Sequence, residues 1–389
     1  MTAALEMFRS LPRYAAARVG RDRVGGIQLA PLRLVHTERH MPPGDGWIPV
    51  RPRLAGICGS DLGALSGKTS LYFSGLVSMP FVPGHEVVGE LREDADGWGR
   101  GQRVVVDPVL PCGARGIESV CAPCCDGLHH LCERVTAGHI APGLQTGYCA
   151  DTGGGWSELF YAHRTQLHAV PDDLSDEGAV LVEPAACAVH AVRRAEVPPD
   201  ATVVIVGAGT IGLLTLVATR RLTSARRIVV VAKHQRQAEL ARRYGASDVV
   251  AVGQALGAIR RTSRAFRIEP ERSAPFLLGG ADIAFECAGS SSSLELTLRT
   301  VRGRGRVVLA AMPPSVDLSP VWFREIELVG AYSGAGDFEG ATSLVAEERL
   351  RDLVAASYPL QRWRDALEHA YSGGVLGASK VVFDLREAM

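Results

Sequence analysis

The segment Thr202-Val-Val-Ile-Val is followed at once by three glycines with the spacing Gly-x-Gly-x-x-Gly. A continuous β-branched run is typical of a strand buried on both faces of a parallel sheet. Gly207 allows a tight turn, Gly209 lets a pyrophosphate approach the backbone, and Gly212 permits a helix to pack closely on the strand. The helix that starts here offers free N–H groups to an anion. This feature predicts a dinucleotide-binding, doubly wound sheet.

Strand and helix patterns alternate on both sides of this motif. Asp172–Glu177 supplies capping and acidic first-turn residues, and a helical pattern runs from there to about Arg194. Further helices are predicted at Ile211–Leu222 and Gln235–Tyr244, and short strands at Ile228–Val231, Asp248–Val252, Ile283–Cys287, Arg306–Ala310 and Glu327–Val329. Such alternation predicts a parallel α/β sheet of the Rossmann type. Gly253–Leu278 shows no clear pattern and is interpreted as a loop or insertion.

The first part of the chain has a different pattern, with short apolar runs broken by Gly and Pro. That pattern is typical of an irregular, mostly β domain. A chain of 389 residues exceeds one ordinary core. The strand pattern in Ser379–Leu385 is expected to return to the first domain. We therefore expect a catalytic domain from residues 1–172 with 332–389, and a dinucleotide-binding domain from residues 173–331.

Composition narrows the class of protein. Hydrophobic residues make up 47% and charged residues 22%, as in folded globular proteins, and 42 Lys plus Arg balance 42 Asp plus Glu. A nucleic-acid partner is therefore not expected. No run approaches the roughly 18–20 apolar residues that span a bilayer, and no secretory signal is evident. We expect a cytoplasmic protein that acts on a small molecule, with neither a nucleic acid nor a membrane as partner.

Five of the nine cysteines lie within a short stretch, Cys112–Cys132. Disulfides are rare in the cytoplasm, and an odd number of cysteines cannot all pair, so metal ligation is the better interpretation. Cys112, Cys121, Cys124 and Cys132 provide four thiolates for a closed tetrahedral zinc site, which stabilises the fold. Cys125 would be left over.

A second set of possible ligands is dispersed along the chain. It consists of Cys58, the pair His85-Glu86, and Glu183. Each residue alone is a weak signal, because a single Cys or His is more often part of a core. Together they supply a thiolate, an imidazole and a carboxylate, with a fourth position open for water or substrate. That is the pattern of a catalytic zinc.

Six motifs occur in a family-specific order: Gly56-Ile-Cys-Gly-Ser-Asp61, Gly84-His-Glu-x-x-Gly89, the cysteine cluster, Val182-Glu-Pro184, Gly-x-Gly-x-x-Gly, and Phe285-Glu-Cys-Ala-Gly289. From about residue 25 to 385 the chain resembles the zinc-dependent medium-chain alcohol dehydrogenases. It is most similar to their polyol and threonine dehydrogenase branch, because Glu183-Pro stands where liver-type enzymes have a ligand cysteine. The resemblance implies a GroES-like catalytic domain beside a Rossmann domain.

The resemblance also implies roles for individual residues. Cys58 and His85 would bind the catalytic zinc, completed by Glu86 or Glu183, and Ser60 would pass on the substrate proton. The residues implied in nicotinamide dinucleotide binding are Gly207, Gly209, Thr210, Ile211 and Gly212, with Cys187 beside the nicotinamide and Leu309, Ala310 and Ala311 at its carboxamide end.

The chain departs from the family pattern at three places. Gly63 stands where a proton-relay histidine is often found. Eight residues separate Cys112 from Cys121 instead of the usual two, and Glu118 occupies the expected ligand spacing. The tip of the second Rossmann strand carries Ala232, Lys233 and Arg236 without the acid that binds an NAD ribose. A 2′-phosphate would meet cations there, so NADP is favoured over NAD.

These observations predict an oxidoreductase with two zincs per chain, active as a homodimer or homotetramer. It would transfer a hydride between an alcohol, secondary or polyol-like, and NAD(P), giving a ketone or aldehyde. Two alternatives stay open. One is a reductase or non-redox catalyst that uses this scaffold on a biosynthetic intermediate. The other is a non-catalytic binding module scaffolded by zinc.

Overall fold

The computed structural model describes residues 1–20, 26–37, 41–95, 97–377 and 379–387. Within these ranges the chain forms two units, Met1–Glu183 with Ala335–Met389, and Pro184–Gly334. Helix α5 (Val182–Ala195) contains the boundary between them. None of the helices in these ranges is both long enough and apolar enough to span a bilayer.

The unit Pro184–Gly334 contains a six-stranded parallel sheet and a separate hairpin. Its strands are β8 (Thr202–Val206), β9 (Arg227–Ala232), β10 (Asp248–Ala251), β11 (Phe266–Ile268), β12 (Phe276–Leu278), β13 (Ala281–Glu286), β14 (Val301–Leu309) and β15 (Glu327–Gly330). The sheet order is β10-β9-β8-β13-β14-β15, and every neighbouring pair is parallel. The β-branched run of β8 is fully buried at its centre. The order reverses between β8 and β13, as in Rossmann sheets, so the predicted fold class is confirmed.

Five further helices belong to this unit: α6 (Thr210–Leu222), α7 (Gln235–Arg243), α8 (Ala255–Ser263), α9 (Ser291–Thr300) and α10 (Ser319–Arg324). Two of them, α6 and α7, confirm the helices predicted from the sequence to within one residue at each end. Helix α7 ends before Gly245, whose φ of +89° favours glycine.

The interpretation of Gly253–Leu278 as a loop or insertion was wrong. This stretch contains α8 and the antiparallel hairpin of β11 and β12. The helix buries Ala255, Ala258 and Ile259, which recur at helical spacing, and Leu277 of the hairpin is also buried in the sheet core. The pattern is hard to see in the sequence because two of the three buried residues are small alanines and two arginines follow them directly.

The other unit is mostly β. Its strands are β1 (Thr2–Met7), β2 (Leu32–Thr37), β3 (Trp47–Gly56), β4 (Val87–Leu91), β5 (Arg103–Val106), β6 (Phe160–His163), β7 (Leu167–Ala169), β16 (Val354–Tyr358) and β17 (Lys380–Asp384). Strands β1 and β2 form an antiparallel pair. The main sheet has the order β16-β17-β3-β4-β5-β7, and β6 also pairs with β3. This irregular β unit confirms the predicted GroES-like architecture.

Strand β3 organises this unit, because it pairs with three other strands along its ten residues. Its first half pairs with β6 and its last residues pair with β17, which brings Val382 opposite Gly56. The backbone N–H of Ile57 then donates to the carbonyl of Val381 at 3.0 Å. The C-terminal strand therefore lies directly beside the segment that carries Cys58.

The helices of this unit are short: α1 (Leu11–Gly20), α2 (Gly59–Leu65), α3 (Ala122–Cys125), α4 (Asp176–Ala179), α11 (Phe338–Glu348), α12 (Trp363–Tyr371) and α13 (Gly373–Leu376). The Ser175 side chain accepts from the Gly178 N–H at 3.2 Å and caps α4, as the capping residues predict. Trp156 is fully buried beside Phe383, and its indole N–H donates to the carbonyl of Gly56 at 3.1 Å.

Candidate functional site

The four cysteines predicted to hold a structural zinc lie together. The sulfurs of Cys112, Cys121, Cys124 and Cys132 are all within 4.8 Å of one another. The Cys112 Sγ is 3.7 Å from those of Cys121 and Cys132, and the last two are 3.9 Å apart. A tetrahedral zinc with Zn–S bonds of about 2.3 Å has sulfurs about 3.8 Å apart. The spacing therefore fits a four-thiolate zinc site and is too long for a disulfide.

The local backbone explains how the longer loop reaches this group. Residues 113–115 form one 3₁₀ turn after Cys112, and Gly116 follows in the left-handed region with a φ of +64°. Backbone N–H groups of Glu133 and Arg134 lie 3.4 Å from the sulfurs of Cys121 and Cys132, where they can donate to thiolates. Glu118 and Cys125 are exposed and lie outside the group.

Arg115 is a buried residue of this region that the sequence analysis did not identify. Its side chain is fully buried. The guanidinium donates to five backbone carbonyls, those of Leu110, Ala137, Ile140, Ala141 and Gly143. An arginine presents five donors in a planar fork, so one side chain can hold a loop that has no regular structure. The long insertion between Cys112 and Cys121 thus supplies the centre of the cysteine region.

Cys58, Ser60 and His85 come together at the end of β3. Asp61 Oδ2 accepts from the Cys58 N–H at 3.0 Å and closes the first turn of α2. Asp61 Oδ1 lies 3.4 Å from His85 Nδ1, and His85 Nε2 lies 3.5 Å from Ser60 Oγ. A carboxylate behind one imidazole nitrogen orients the ring so that the other nitrogen can bind a metal. Asp61 belongs to the quoted motif, but its role was not predicted.

Glu86 is engaged by a lysine that the sequence analysis did not identify. Lys380 Nζ donates to both carboxylate oxygens of Glu86, at 2.7 and 2.6 Å, and both side chains are buried. A Cβ at position 56 would lie 2.0 Å from Glu86 Oε2, so Gly56 is required for this approach. The two glutamates proposed as alternative ligands therefore differ, since Glu86 is held in a buried ion pair.

The charges around this pocket favour a cation. Burial lowers the pKa of His85, but Asp61 and Cys58 overcome it and raise the pKa well above its usual value. Burial also lowers the pKa of Lys380, while Glu86, Cys58 and Glu183 raise it by more. A thiolate, an imidazole and a carboxylate are the donors that a catalytic zinc uses. The residues present fit that metal.

The proposed ligands of the catalytic zinc lie near one another, but their ligand atoms are not at the spacing of a coordinated metal. Within the described ranges, the cysteine group is the one set of three or more His, Cys, Asp or Glu whose ligand atoms all lie within 4.8 Å. Cys58 hydrogen-bonds to His85, and the charge of Glu183 acts on Lys380. Cys58, His85 and Glu183 are thus neighbours, but their ligand atoms do not all lie within 4.8 Å of one another.

The glycine motif forms a tight turn between β8 and α6. Gly207 has a φ of +101°, which favours glycine. A Cβ on Gly212 would lie 1.8 Å from the Gly207 carbonyl oxygen, whereas a Cβ on Gly209 would meet nothing within 4 Å. Gly209 is the N-cap of α6 and makes no side-chain capping hydrogen bond; Thr210 and Ile211 are the first residues of the helix. A helix N-terminus reached through a glycine turn fits a pyrophosphate.

The Phe285–Gly289 motif has a structural basis in Glu286. This side chain is fully buried at the end of β13. Its Oε1 accepts from the Ala288 and Gly289 N–H groups at 2.9 and 3.0 Å, and from Ser293 Oγ at 2.7 Å. The carboxylate therefore fixes the turn that follows β13 next to the start of α9.

The other predicted cofactor residues lie at or just after the carboxyl ends of strands, on α5, or on α7. Leu309 ends β14, and the Ala310 N–H donates to the Glu286 carbonyl at 3.0 Å. Ala311 follows, partly buried, and Cys187 lies partly buried on α5. Ala232 is buried at the end of β9, and Lys233 is exposed. Arg236 pairs with Glu239 at 3.5 Å on the surface of α7.

Comparison with known proteins agrees with this architecture. Residues 44–172 match the family model of the alcohol dehydrogenase GroES-like domain, and residues 210–347 match that of the zinc-binding dehydrogenases. A sorbitol dehydrogenase from Arabidopsis thaliana is 30% identical over 291 residues, which are 73% of this chain and 73% of that one. A sorbitol dehydrogenase from Bacillus subtilis is 27% identical over 333 residues, 82% of this chain and 85% of that one.

A solved structure shows the same fold. It is that of a zinc-binding dehydrogenase from Sinorhizobium meliloti bound to NADP, which is 23% identical and covers 99% of both chains with a TM-score of 0.74. The match extends over both units of this chain. With its two matched domains and its relatives over most of its length, the chain belongs to the zinc-dependent medium-chain alcohol dehydrogenase family, in the polyol dehydrogenase branch.

Proposed function

We propose that this protein is an enzyme that oxidises a secondary or polyol-like alcohol to a ketone, or runs the reverse reduction, with NAD(P) as hydride carrier. One observation carries the proposal. The Ser60 hydroxyl lies 3.5 Å from His85 Nε2, beside Cys58, in a pocket whose charges favour a cation. A hydroxyl beside a thiolate–imidazole donor pair is suited to take the proton of an alcohol. The sorbitol dehydrogenases among the relatives favour a polyol.

Cys58, His85 and Glu183 are the residues that we propose hold the catalytic zinc. Glu86 is the weaker candidate, because Lys380 already neutralises it. When bound, zinc would act as a Lewis acid on the alcohol or carbonyl oxygen, and the nicotinamide would carry the hydride. Asp61 keeps the His85 ring in place. The Ser60 hydroxyl would accept a hydrogen bond from the substrate hydroxyl and relay its proton by giving up its own. Lys380 keeps the Glu86 carboxylate away from the donor set.

A second zinc is proposed at Cys112, Cys121, Cys124 and Cys132. The sulfurs of Cys112, Cys121 and Cys132 are 3.7–3.9 Å apart and all four sulfurs lie within 4.8 Å of one another, which supports this site. Four thiolates complete a tetrahedron and leave no open position, so the ion would hold the loop rather than take part in the reaction. The protein would then carry two zincs per chain.

The function is tested by a panel of secondary alcohols and polyols, with matching ketones, monitored by NADPH and NADH absorbance in both directions. We expect at least one polyol or vicinal diol to be oxidised. Zinc removal from the catalytic site should abolish this turnover. A protein that transforms a substrate without net change in NADPH or NADH would support the non-redox alternative, and one that binds zinc but transforms nothing would support the binding module.

NADP is the proposed cofactor. Ala232 brings no carboxylate to the end of β9, and Lys233 beside it is exposed. The sequence has no acidic residue between positions 229 and 238. A charge-assisted hydrogen bond to a 2′-phosphate is worth roughly 1.5–3 kcal/mol before solvent screening. Because Arg236 is shared with Glu239, we expect a preference of about 10-fold in kcat/KM, at the lower end of that range.

Cofactor choice is tested with Ala232→Asp. The new carboxylate would repel a 2′-phosphate and accept from the ribose hydroxyls, so the preference should reverse to NAD. Glu239→Gln is the matched variant, which frees Arg236 and should increase the preference for NADP. Equal or better use of NAD by the unaltered protein would contradict the proposal.

A homodimer is the proposed assembly, with a homotetramer as the alternative. Strand β15 lies at the edge of the parallel sheet, and the preceding helix α10 exposes Trp322 and Phe323 to 84% and 64%. Exposed aromatic side chains beside an unpaired strand edge are typical of a subunit interface. Trp322→Glu should shift the protein to the mass of one chain in light scattering, whereas Tyr72→Glu, at another exposed aromatic, should leave the mass unchanged.

A further inference from the structure

Tyr148 lies in the loop that follows the cysteine region, and this loop is fastened to the turn before His85. The Gly155 and Trp156 N–H groups donate to the carbonyls of Gly84 and Pro83, at 2.8 and 3.0 Å. Gly147 has a φ of +88°, and a Cβ there would lie 3.2 Å from the Gly84 carbonyl oxygen. The backbone on both sides of Tyr148 is therefore held against the strand end that carries the site.

The Tyr148 ring packs against His85. The two ring centroids are 5.9 Å apart, and Phe81 covers Tyr148 with a centroid distance of 5.3 Å. The phenol hydroxyl donates to Asp61 Oδ1 at 3.3 Å and is also hydrogen-bonded to the Ser60 side chain. Tyr148 thus touches three of the residues that build the site, and its hydroxyl joins two of them.

The chemistry of the three polar groups sets the direction of these hydrogen bonds. The Asp61 carboxylate can only accept, so the phenol keeps its proton and donates it in the 3.3 Å hydrogen bond to Asp61 Oδ1. A phenol has one O–H, which here donates a hydrogen bond to the Asp61 carboxylate, and its oxygen can still accept a hydrogen bond from another group. The Ser60 hydroxyl is then the donor to Tyr148, which leaves a Ser60 lone pair for another proton.

We propose that Tyr148 is a positioning residue for the dehydrogenase reaction: it turns the Ser60 hydroxyl proton away from the substrate, so that Ser60 Oγ accepts the substrate hydroxyl. This inference rests on the proposed function. No side chain of α2 can do the same from position 63, because Gly63 stands there. The orienting group comes instead from a loop, at Tyr148, 88 positions after Ser60. The hydrogen bond between Tyr148 and Ser60 is the evidence for this.

The first test is Tyr148→Phe, which removes the hydroxyl and keeps the ring on His85 and Phe81. We expect kcat for alcohol oxidation to fall about 10-fold, as for the loss of one orienting hydrogen bond, with KM and zinc content within about 2-fold of the original. Tyr358→Phe is the matched control, because it removes a phenol that hydrogen-bonds to His369. It should leave kcat within about 2-fold.

A double-mutant cycle separates a role of Tyr148 in positioning Ser60 from a role in packing against His85. If Tyr148 acts through Ser60, then Tyr148→Phe should cause no further loss in a Ser60→Ala background. Loss factors that multiply in the double variant would overturn the proposal, because Tyr148 would then act independently of Ser60. Unchanged kcat in the single variant Tyr148→Phe would overturn it as well.

A measurement without turnover keeps the two proposals apart. Tyrosine labelled with ¹³C at Cζ gives one NMR signal for Tyr148, identified by its loss in Tyr148→Phe. We expect this signal to move in Ser60→Ala and in Asp61→Asn, because both partners contact the phenol oxygen. A signal that stays in place in Ser60→Ala would overturn the positioning role. Failure of the unaltered protein to oxidise any alcohol would instead overturn the proposed function, whatever the signal does.

Discussion

The buried pair of Lys380 and Glu86 offers a quantitative test of how the catalytic region is held. Both side chains are almost inaccessible, at 4% and 1% exposed, and Nζ lies 2.6 and 2.7 Å from the two carboxylate oxygens. Lys380→Met would keep the apolar stem and remove the charge, which leaves Glu86 buried without a partner. Breaking a buried pair from one side costs about 3–5 kcal/mol. For a unit of this size that is a decrease in Tm of about 6–20 °C.

The assay is thermal unfolding of the metal-free protein, so that freed Glu86 has no metal to bind. Lys68→Met is the control, since Lys68 is exposed and lies over the ring of Tyr371. Glu86→Gln combined with Lys380→Met should be less destabilising than the sum of the two single changes, by about 1–3 kcal/mol. A Tm within about 2 °C of the original for Lys380→Met, or additive single effects, would refute the reasoning.

Three further predictions concern stability. Cys124→Ser should lose one zinc and have a much lower Tm than the original protein, because zinc binding coupled to folding is worth about 10–16 kcal/mol in small zinc domains. Cys125→Ser, at an exposed cysteine outside the group, should change neither quantity. Full zinc content in Cys124→Ser would contradict the site. Arg115→Met should cost at least about 3 kcal/mol in urea unfolding, because several buried carbonyls lose their donor, and a change below about 1 kcal/mol would contradict that role. Burial raises the pKa of Asp107 to about 6, so the native state binds this proton more tightly and the contribution of Asp107 to stability falls as the pH rises from about 4 to 6. Burial, with nearby positive charge, lowers the pKa of His163 to about 4, so the contribution of His163 falls as the pH drops from about 6.5 to 4. Unfolding measured across this range should therefore gain stability with rising pH more steeply in Asp107→Asn and less steeply in His163→Gln, each by up to about 3 kcal/mol, and equal slopes in both variants would contradict the assignment.

The parallel sheet was predictable because its signals are local. A β-branched run, a glycine turn and the following helix lie within 21 residues, Thr202–Leu222, and each part needs only its neighbours. The hairpin of β11 and β12 was not predictable in this way. Each of its strands has only three residues, too few to establish a periodic pattern, and Phe266 is 76% exposed, so the sequence gives little indication of where this segment packs.

The ligand types of the candidate site were also apparent from the sequence, whereas their partners were not. Lys380 reaches Glu86 across 294 positions, because β17 pairs with the end of β3. Tyr148 reaches Asp61 across 87 positions through an irregular loop. Hydrogen bonds between distant segments depend on strand pairing and loop packing, and a single sequence does not report either directly. The fourth cysteine, Cys112, was recognisable by its residue type even though its spacing was unusual.

Zinc stoichiometry measured together with turnover tests the central claim most directly, in the original protein and in Cys58→Ser. The account predicts two zincs per chain and NAD(P)-linked alcohol oxidation for the original. It predicts one zinc, less than about 1% of the turnover and a nearly unchanged Tm for Cys58→Ser, because Cys58 belongs to the open donor set and the cysteine group stays intact. Full turnover in a Cys58→Ser protein that has lost a zinc would contradict the account.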